Sequence, residues 1–174
     1  VDLRECAYML EKFHAHGFYL RLGNNITDCF MDKKHTPVPP HTILEDRYLM
    51  WQFKDGLSDW GFPNNVDMTV YRKKDVKTKI AMAHPFINAM FEGPWNRGAN
   101  LTLFGLCFLE SKLVNISINL VQSNDLNMSQ FSHEWKMNKL SQYSAEKLLF
   151  LFNAGYKINI DHFNKMCINS FFFI

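Results

Sequence analysis

Five cations stand within eight residues at Arg72, Lys73, Lys74, Lys77 and Lys79, with Tyr71 immediately before them. Closely spaced ammonium and guanidinium groups can grip successive phosphates, and a tyrosine ring beside them can stack on a base. Tyr71, Arg72, Lys73, Lys74 and Lys77 are therefore the candidate RNA-binding residues. The alternative for the same run is a solvated loop or hairpin end, and Asp75 inside it dilutes its field.

Other chemistry is harder to assemble. His14 and His16 are two residues apart, so on a helix they point to different faces and cannot chelate one ion together. His35 and His41, with Cys29 upstream, have the spacing of no common zinc module. The chain contains no Gly-x-Ser-x-Gly, no Walker loop and no dinucleotide fingerprint. His84 precedes Pro85 and reads as a loop residue rather than a general base. Cys6, Cys29, Cys107 and Cys167 form no CxxC pair. They read as buried free thiols, with two disulfides as the alternative, and Cys107 is the most sheltered and therefore inert.

The elements that must position these residues follow from periodicity and caps. Residues 2–16 read as a helix with Asp2 as cap, Glu5 completing a capping box, an apolar face of Leu3, Cys6, Ala7, Leu10 and Phe13, and Gly17 as the stop. "FYLRL" (18–22) is a short strand. Residues 24–40 are polar and end in "TPVPP", a loop or hinge. Thr42 opens an expected helix through "ILEDRYLMWQFKDG". "VDMTVYR" (66–72) alternates as a half-buried strand does. "HPFINAMFEG" suggests a short helix and "PWNRGAN" a loop. "LTLFGLCFL" (101–109) is apolar on both faces, which predicts an interior strand, and "LVNISINLV" (113–121) alternates and is expected beside it. Ser144 caps a helix whose buried stripe is read as Ala145, Leu148, Leu149 and Phe152, and Gly155 ends it. A second helix is expected from Asp161, burying Phe163, Met166 and Cys167.

This order predicts an α/β fold, a mixed sheet with flanking helices. Residues 1–40 would form an N-terminal extension and residues 41–174 the main domain. At 174 residues, with 47% hydrophobic and 15% aromatic side chains, the chain can bury a core. Its sixteen phenylalanines suggest that some cover a protein partner or another copy. The formal charge of +2 advertises no global attraction to nucleic acid or membrane. No apolar run is long enough for a membrane span. Cytoplasm or nucleus is the expected compartment. The secreted alternative rests on four sequons, at Asn25, Asn100, Asn115 and Asn127, although Asn100 and Asn115 sit beside or inside apparent strands.

Residues 101–168 also resemble a known family. "NLTLFGLCFLES", then "NISINLV", then a polar stretch with Phe131, then "YSAEKLLFLFNAGYKINIDHFNKMCI" follow the order found in poly(A)-specific ribonucleases of the DEDD type. There a buried strand like "QLGLCTF" precedes one like "FNFYLFP" and a helix pair like "SSVQFLNQYGFNFNKFLKNGI". Ser144, Leu149, Phe150, Gly155, Tyr156, Asn159, Phe163 and Ile168 fall on that last pattern. The resemblance implies a ribonuclease-H-like exonuclease fold and an acidic site for two divalent ions. The first strand of that site carries Asp-x-Glu. Asp67 would match its aspartate, as a vestige, but Thr69 stands where the glutamate belongs. Aligning "GFYLRLGNN" instead offers no acid at either position. The implied function is a catalytically degenerate deadenylase-like module that binds RNA or a protein partner and needs no cofactor. A secreted or surface glycoprotein domain is the alternative. A 3′ exonuclease, with magnesium in a site completed by another chain, is the third.

Overall fold

The computed structural model describes residues 1–29, 32, 34–82, 92–116, 144–157, 159 and 172–173. Two compact units divide the chain near residue 115.

The first unit is built on a five-stranded mixed sheet. Its strands are β1 (Gly17–Tyr19), β4 (His41–Leu44), β5 (Tyr48–Gln52), β6 (Thr69–Tyr71) and β7 (Phe104–Phe108), in the order β4-β5-β7-β1-β6. β1 runs parallel to β7, and every other neighbouring pair is antiparallel. β2 (Asp28–Cys29) and β3 (Lys34–His35) form a separate two-residue ladder within the stretch read as loop.

Helix α1 (Leu3–Phe13) forms as its sequence predicts. Asp2 Oδ1 accepts the Arg4 amide at 2.8 Å, so a free donor of the first turn is satisfied. The helix stops earlier than expected, at His14, which adopts a left-handed φ of 52°. Its inward face is rotated from the expected one: Cys6, Met9 and Leu10 are buried, whereas Leu3 is 58% exposed. Glu5 completes no box. Its carboxylate instead accepts from the Tyr48 hydroxyl and pairs with Arg47 at 2.8 Å, which ties α1 to the β4–β5 hairpin.

Strand alternation divides the core. Phe18, Leu106, Phe108 and Tyr48 face α1 and join Cys6, Met9 and Leu10. Each such side chain contributes about 1.5–3 kcal/mol by leaving water. Tyr19, Trp51 and Cys107, at alternate positions, lie on the opposite face together with Trp60.

Several expectations are corrected. The helix expected from Thr42 is the β4–β5 hairpin. Glu45 and Asp46 both take φ 51°, and the Arg47 amide donates to the Leu44 carbonyl at 3.1 Å, which closes the turn. β7 is interior, as its two-sided apolar character predicts, with β5 and β1 as its neighbours; of the strand expected beside it at 113–121, the described Asn115–Ile116 pairs with Phe172–Phe173 instead. The stretch read as loop at "PWNRGAN" begins inside helix α3 (Glu92–Asn96), where Pro94 is tolerated in the first turn. β6 starts at Thr69 because Met68 takes a left-handed φ of 51° just before it. Helix α2 (Lys73–Met82) carries the basic run that the loop alternative placed at a hairpin end.

In the second unit, helix α4 (Ala145–Asn153) is capped by Ser144, whose hydroxyl accepts the Lys147 amide at 3.2 Å, and Gly155 has φ 86°. The buried stripe is not observed there. Leu149 is 59% exposed, Phe152 72%, and Phe150 and Tyr156 are equally open. β8 (Asn115–Ile116) and β9 (Phe172–Phe173) form a two-stranded sheet. The expected helix from Asp161, most of the helix at "HPFINAMFEG" and strand residues 117–121 lie outside the described residues. The fold is mixed α/β with helices against a mixed-orientation sheet. No described helix is long and apolar enough to cross a membrane.

Candidate functional site

The face of the sheet away from α1 holds a layer of buried polar groups. Tyr19 ends β1, and the turn that follows, in which the Leu22 amide donates to the Tyr19 carbonyl at 3.3 Å, places Arg21 beside the Tyr19 ring. Arg21 is fully buried. Its Nη1 donates to the Thr69 hydroxyl at 3.0 Å and to the Asp67 carbonyl at 3.2 Å, and its guanidinium lies 5.3 Å from the Tyr19 ring centre. These two bonds bracket Met68 and hold the left-handed step before β6. Asp59 and Glu92 lie within the electrostatic reach of the same cation. Burial pushes both carboxyls above their usual range, and Arg21 opposes that shift. The Glu92 carboxylate also accepts the Val66 amide at 2.5 Å.

The loop at residues 63–67 seals this layer through its backbone. The Tyr19 hydroxyl donates to the Pro63 carbonyl, and Tyr71 reaches that carbonyl at 2.8 Å while accepting the Asn65 amide at 2.8 Å. His16 Nε2 lies 2.9 Å from Asn64 Oδ1. Burial, with Lys79 and Arg72 nearby, lowers the His16 pKa and favours the neutral ring. Burial raises both tyrosine hydroxyls, which favours neutral donors. The layer is a hydrogen-bond network that fixes the loop against the sheet.

The structure separates the candidate RNA-binding residues into two groups. Tyr71 is turned inward, with its ring packed against His16, Tyr19 and Trp95 at centroid distances of 5.5, 6.2 and 5.4 Å. It is not an open stacking surface. Arg72 is also committed: Nη1 donates to the Leu10 carbonyl at 2.8 Å and Nε to Asp75 at 2.5 Å. Lys73, Lys74 and Lys77 are exposed on α2, as is Lys79, while Val76 anchors the helix inward. Lys74 comes within 4.0 Å of Glu11. Asp75 is therefore matched by Arg72 and takes little from the lysine field, contrary to its dilution in the linear sequence.

Asp67 and Thr69, two residues apart, do come together, but the Asp67 carbonyl and the Thr69 hydroxyl meet on a guanidinium. A divalent ion beside them would meet a buried fixed positive charge, and Thr69 supplies no anionic oxygen. These residues do not fit the two-metal site that the resemblance implies. Among the described residues, no group of three histidine, cysteine, aspartate or glutamate side chains could hold a metal ion. Cys6, Cys29 and Cys107 are free and buried, and burial pushes the Cys29 thiol up to about 11. His84, Cys167 and Asn127 lie outside the described residues.

Sequence reasoning did not single out Arg21, His16 with Asn64, Asp59 or Glu92. For Arg21 the local pattern pointed outward, because in "FYLRL" it alternates with the apolar Phe18, Leu20 and Leu22. The others meet through contacts between residues 26 to 48 positions apart, which leave no local trace.

No protein-family model matches the chain, and neither the curated proteins nor the solved structures contain a match.

Proposed function

We propose that the chain is a binding module for RNA, acting through the exposed face of α2, on a deadenylase-like plan that has lost its metal chemistry. The observation that carries the reading is the division of charge on α2. Arg72 and Asp75 pair at 2.5 Å, and Lys73, Lys74 and Lys77 are exposed, Lys74 with an exposed, exchangeable pairing to Glu11 at 4.0 Å. Three lysines on adjacent turns of one helix suit successive phosphates of a strand. The guanidinium beside Asp67 and Thr69 supports the non-catalytic half of the reading. The exposed apolar side chains of α4 support a protein partner for the second unit.

The test is fluorescence anisotropy of a labelled poly(A) oligonucleotide with the full chain across a salt series. Neutralising three phosphates gives a log K against log salt slope of about −2, at roughly 0.7 per phosphate for single strands. Simultaneous Lys73→Ala, Lys74→Ala and Lys77→Ala should flatten it. A slope unchanged by that variant removes α2 from the interface. Incubation with magnesium should leave the oligonucleotide at full length. Processive trimming that disappears with chelator and with Asp67→Ala would overturn the non-catalytic reading.

One observation favours the secreted alternative. Asn100 and Thr102 are both exposed, and Asn100 Oδ1 accepts the Thr102 amide at 3.0 Å, so this sequon is presented to solvent. Asn25 is partly buried, with Oδ1 holding the Ser111 amide at 2.8 Å. Glycan mass at Asn100 on protein from its native source would select that reading over the first.

A further inference from the structure

Stacking on a base requires an open aromatic face, and the tyrosine next to the basic run does not have one. Tyr71 points into the polar layer, and Trp95 behind it is 5% exposed. Among the described residues of the first unit, the exposed aromatic side chains are Tyr8 at 63% and Phe104 at 38%. Tyr8 is the more open, and it stands on the helix that meets the basic run. Glu11, one turn further along α1, lies 3.9 Å from Arg72 and 4.0 Å from Lys74. Arg72 also donates to the α1 carbonyl of Leu10. Residues three apart on a helix are neighbours, so Glu11 bridges Tyr8 to the start of α2. At this junction the charges of Glu11 and Asp75 face those of Arg72 and Lys74, while Lys73 and Lys77 lie beyond it on the exposed side of α2. The Lys12 ammonium sits over the Tyr8 ring, 5.7 Å from its centroid. Its exposed pairing with Glu45 is of the kind that contributes little and can be exchanged.

We infer that Tyr8 is a base-stacking platform at the α1–α2 junction and that the ligand of this surface is single-stranded RNA. The inference rests on the RNA-binding reading above and deepens it. Lys73, Lys74 and Lys77 hold the backbone, and the Tyr8 ring takes an unpaired base from the same strand. A duplex keeps its bases stacked inside and offers the ring nothing, so the surface discriminates strand state without reading sequence.

The experiment compares four ligands of the full chain by anisotropy or competition: a single-stranded RNA, its duplex, an abasic strand of equal charge, and inorganic polyphosphate. Tyr8→Ala should weaken single-strand binding about five- to a hundred-fold, the usual loss per stacked base. It should leave polyphosphate, duplex and the abasic strand within about two-fold on the same scale. Tyr8→Phe keeps the ring and should retain single-strand affinity. Single-strand affinity unchanged in Tyr8→Ala, yet lost with the three lysines, overturns the platform and leaves the RNA-binding reading standing. Equal losses on single strand and polyphosphate overturn it too, because Tyr8 then acts through charge or folding. Failure of wild-type protein to bind any of the four overturns both.

Discussion

Replacing Gly105 by alanine sets two effects of opposite sign against each other. Glycine inside a strand is entropically costly, so propensity alone predicts that alanine stabilises by about 0.5–1 kcal/mol. The packing predicts the reverse. Gly105 is paired with Trp51 across β7 and β5, and an added Cβ would lie 2.5 Å from Trp51 Cζ2 and 2.6 Å from Cη2. The indole cannot easily retreat. It is 1% exposed, enclosed edge-on by Tyr19, Phe53 and Trp60, and held by its Nε1–H donating to the Trp60 carbonyl at 2.8 Å. Overpacking of this kind costs about 1–3 kcal/mol, and displacement of the ring adds about 1 kcal/mol for the strained hydrogen bond. A net destabilisation of about 1–3 kcal/mol remains after the propensity gain is subtracted. With a urea m-value of about 2 kcal/mol/M, the midpoint should fall by roughly 0.5–1.5 M. Trp51→Phe in the same background should recover part of that loss, with a coupling of about 0.5–3 kcal/mol in a double-mutant cycle. A Gly105→Ala midpoint at or above wild type would refute the packing of Trp51 over β7.

Other expectations concern single elements. Asp2→Ala should lower stability by about 0.5–2 kcal/mol through loss of the α1 cap, read as a drop in the denaturation midpoint. Leu149→Ala should shift stability by no more than about 0.5 kcal/mol, because the side chain is 59% exposed; a loss of several kcal/mol would place it in a core instead. His16 is held neutral by burial, so its folded pKa lies below the unfolded value of about 6.5. The unfolded chain therefore takes up that proton first, and stability should fall as pH drops below about 6.5. His16→Gln should be less sensitive over pH 7.5 to 5.5 in parallel urea titrations; equal slopes would mean that His16 is solvated.

What the sequence determined by itself lies within a few residues of the chain. The Asp2 cap and apolar spacing specify α1, Ser144 and Gly155 delimit α4, and two-sided apolarity makes β7 interior, because caps and burial periods act through neighbouring bonds. Partner choice was not written there. "ILEDRYLMWQ" supports helical spacing as well as strand pairing. It becomes a hairpin because Leu49 can stand against Cys107, and Met50 against Leu106, nearly sixty residues on. β7 takes β5 and β1 as neighbours for the same nonlocal reason. The candidate site shows the limit most sharply. Tyr71 and Arg72 have the residue types of a phosphate grip, yet Trp95 and the Leu10 carbonyl draw them inward and leave α2 its lysines. Arg21 is buried because Thr69 and Asp67 offer it oxygens from a strand about fifty residues away. A charge enters the interior only where the fold brings it partners, and that pairing exists only once distant segments have met.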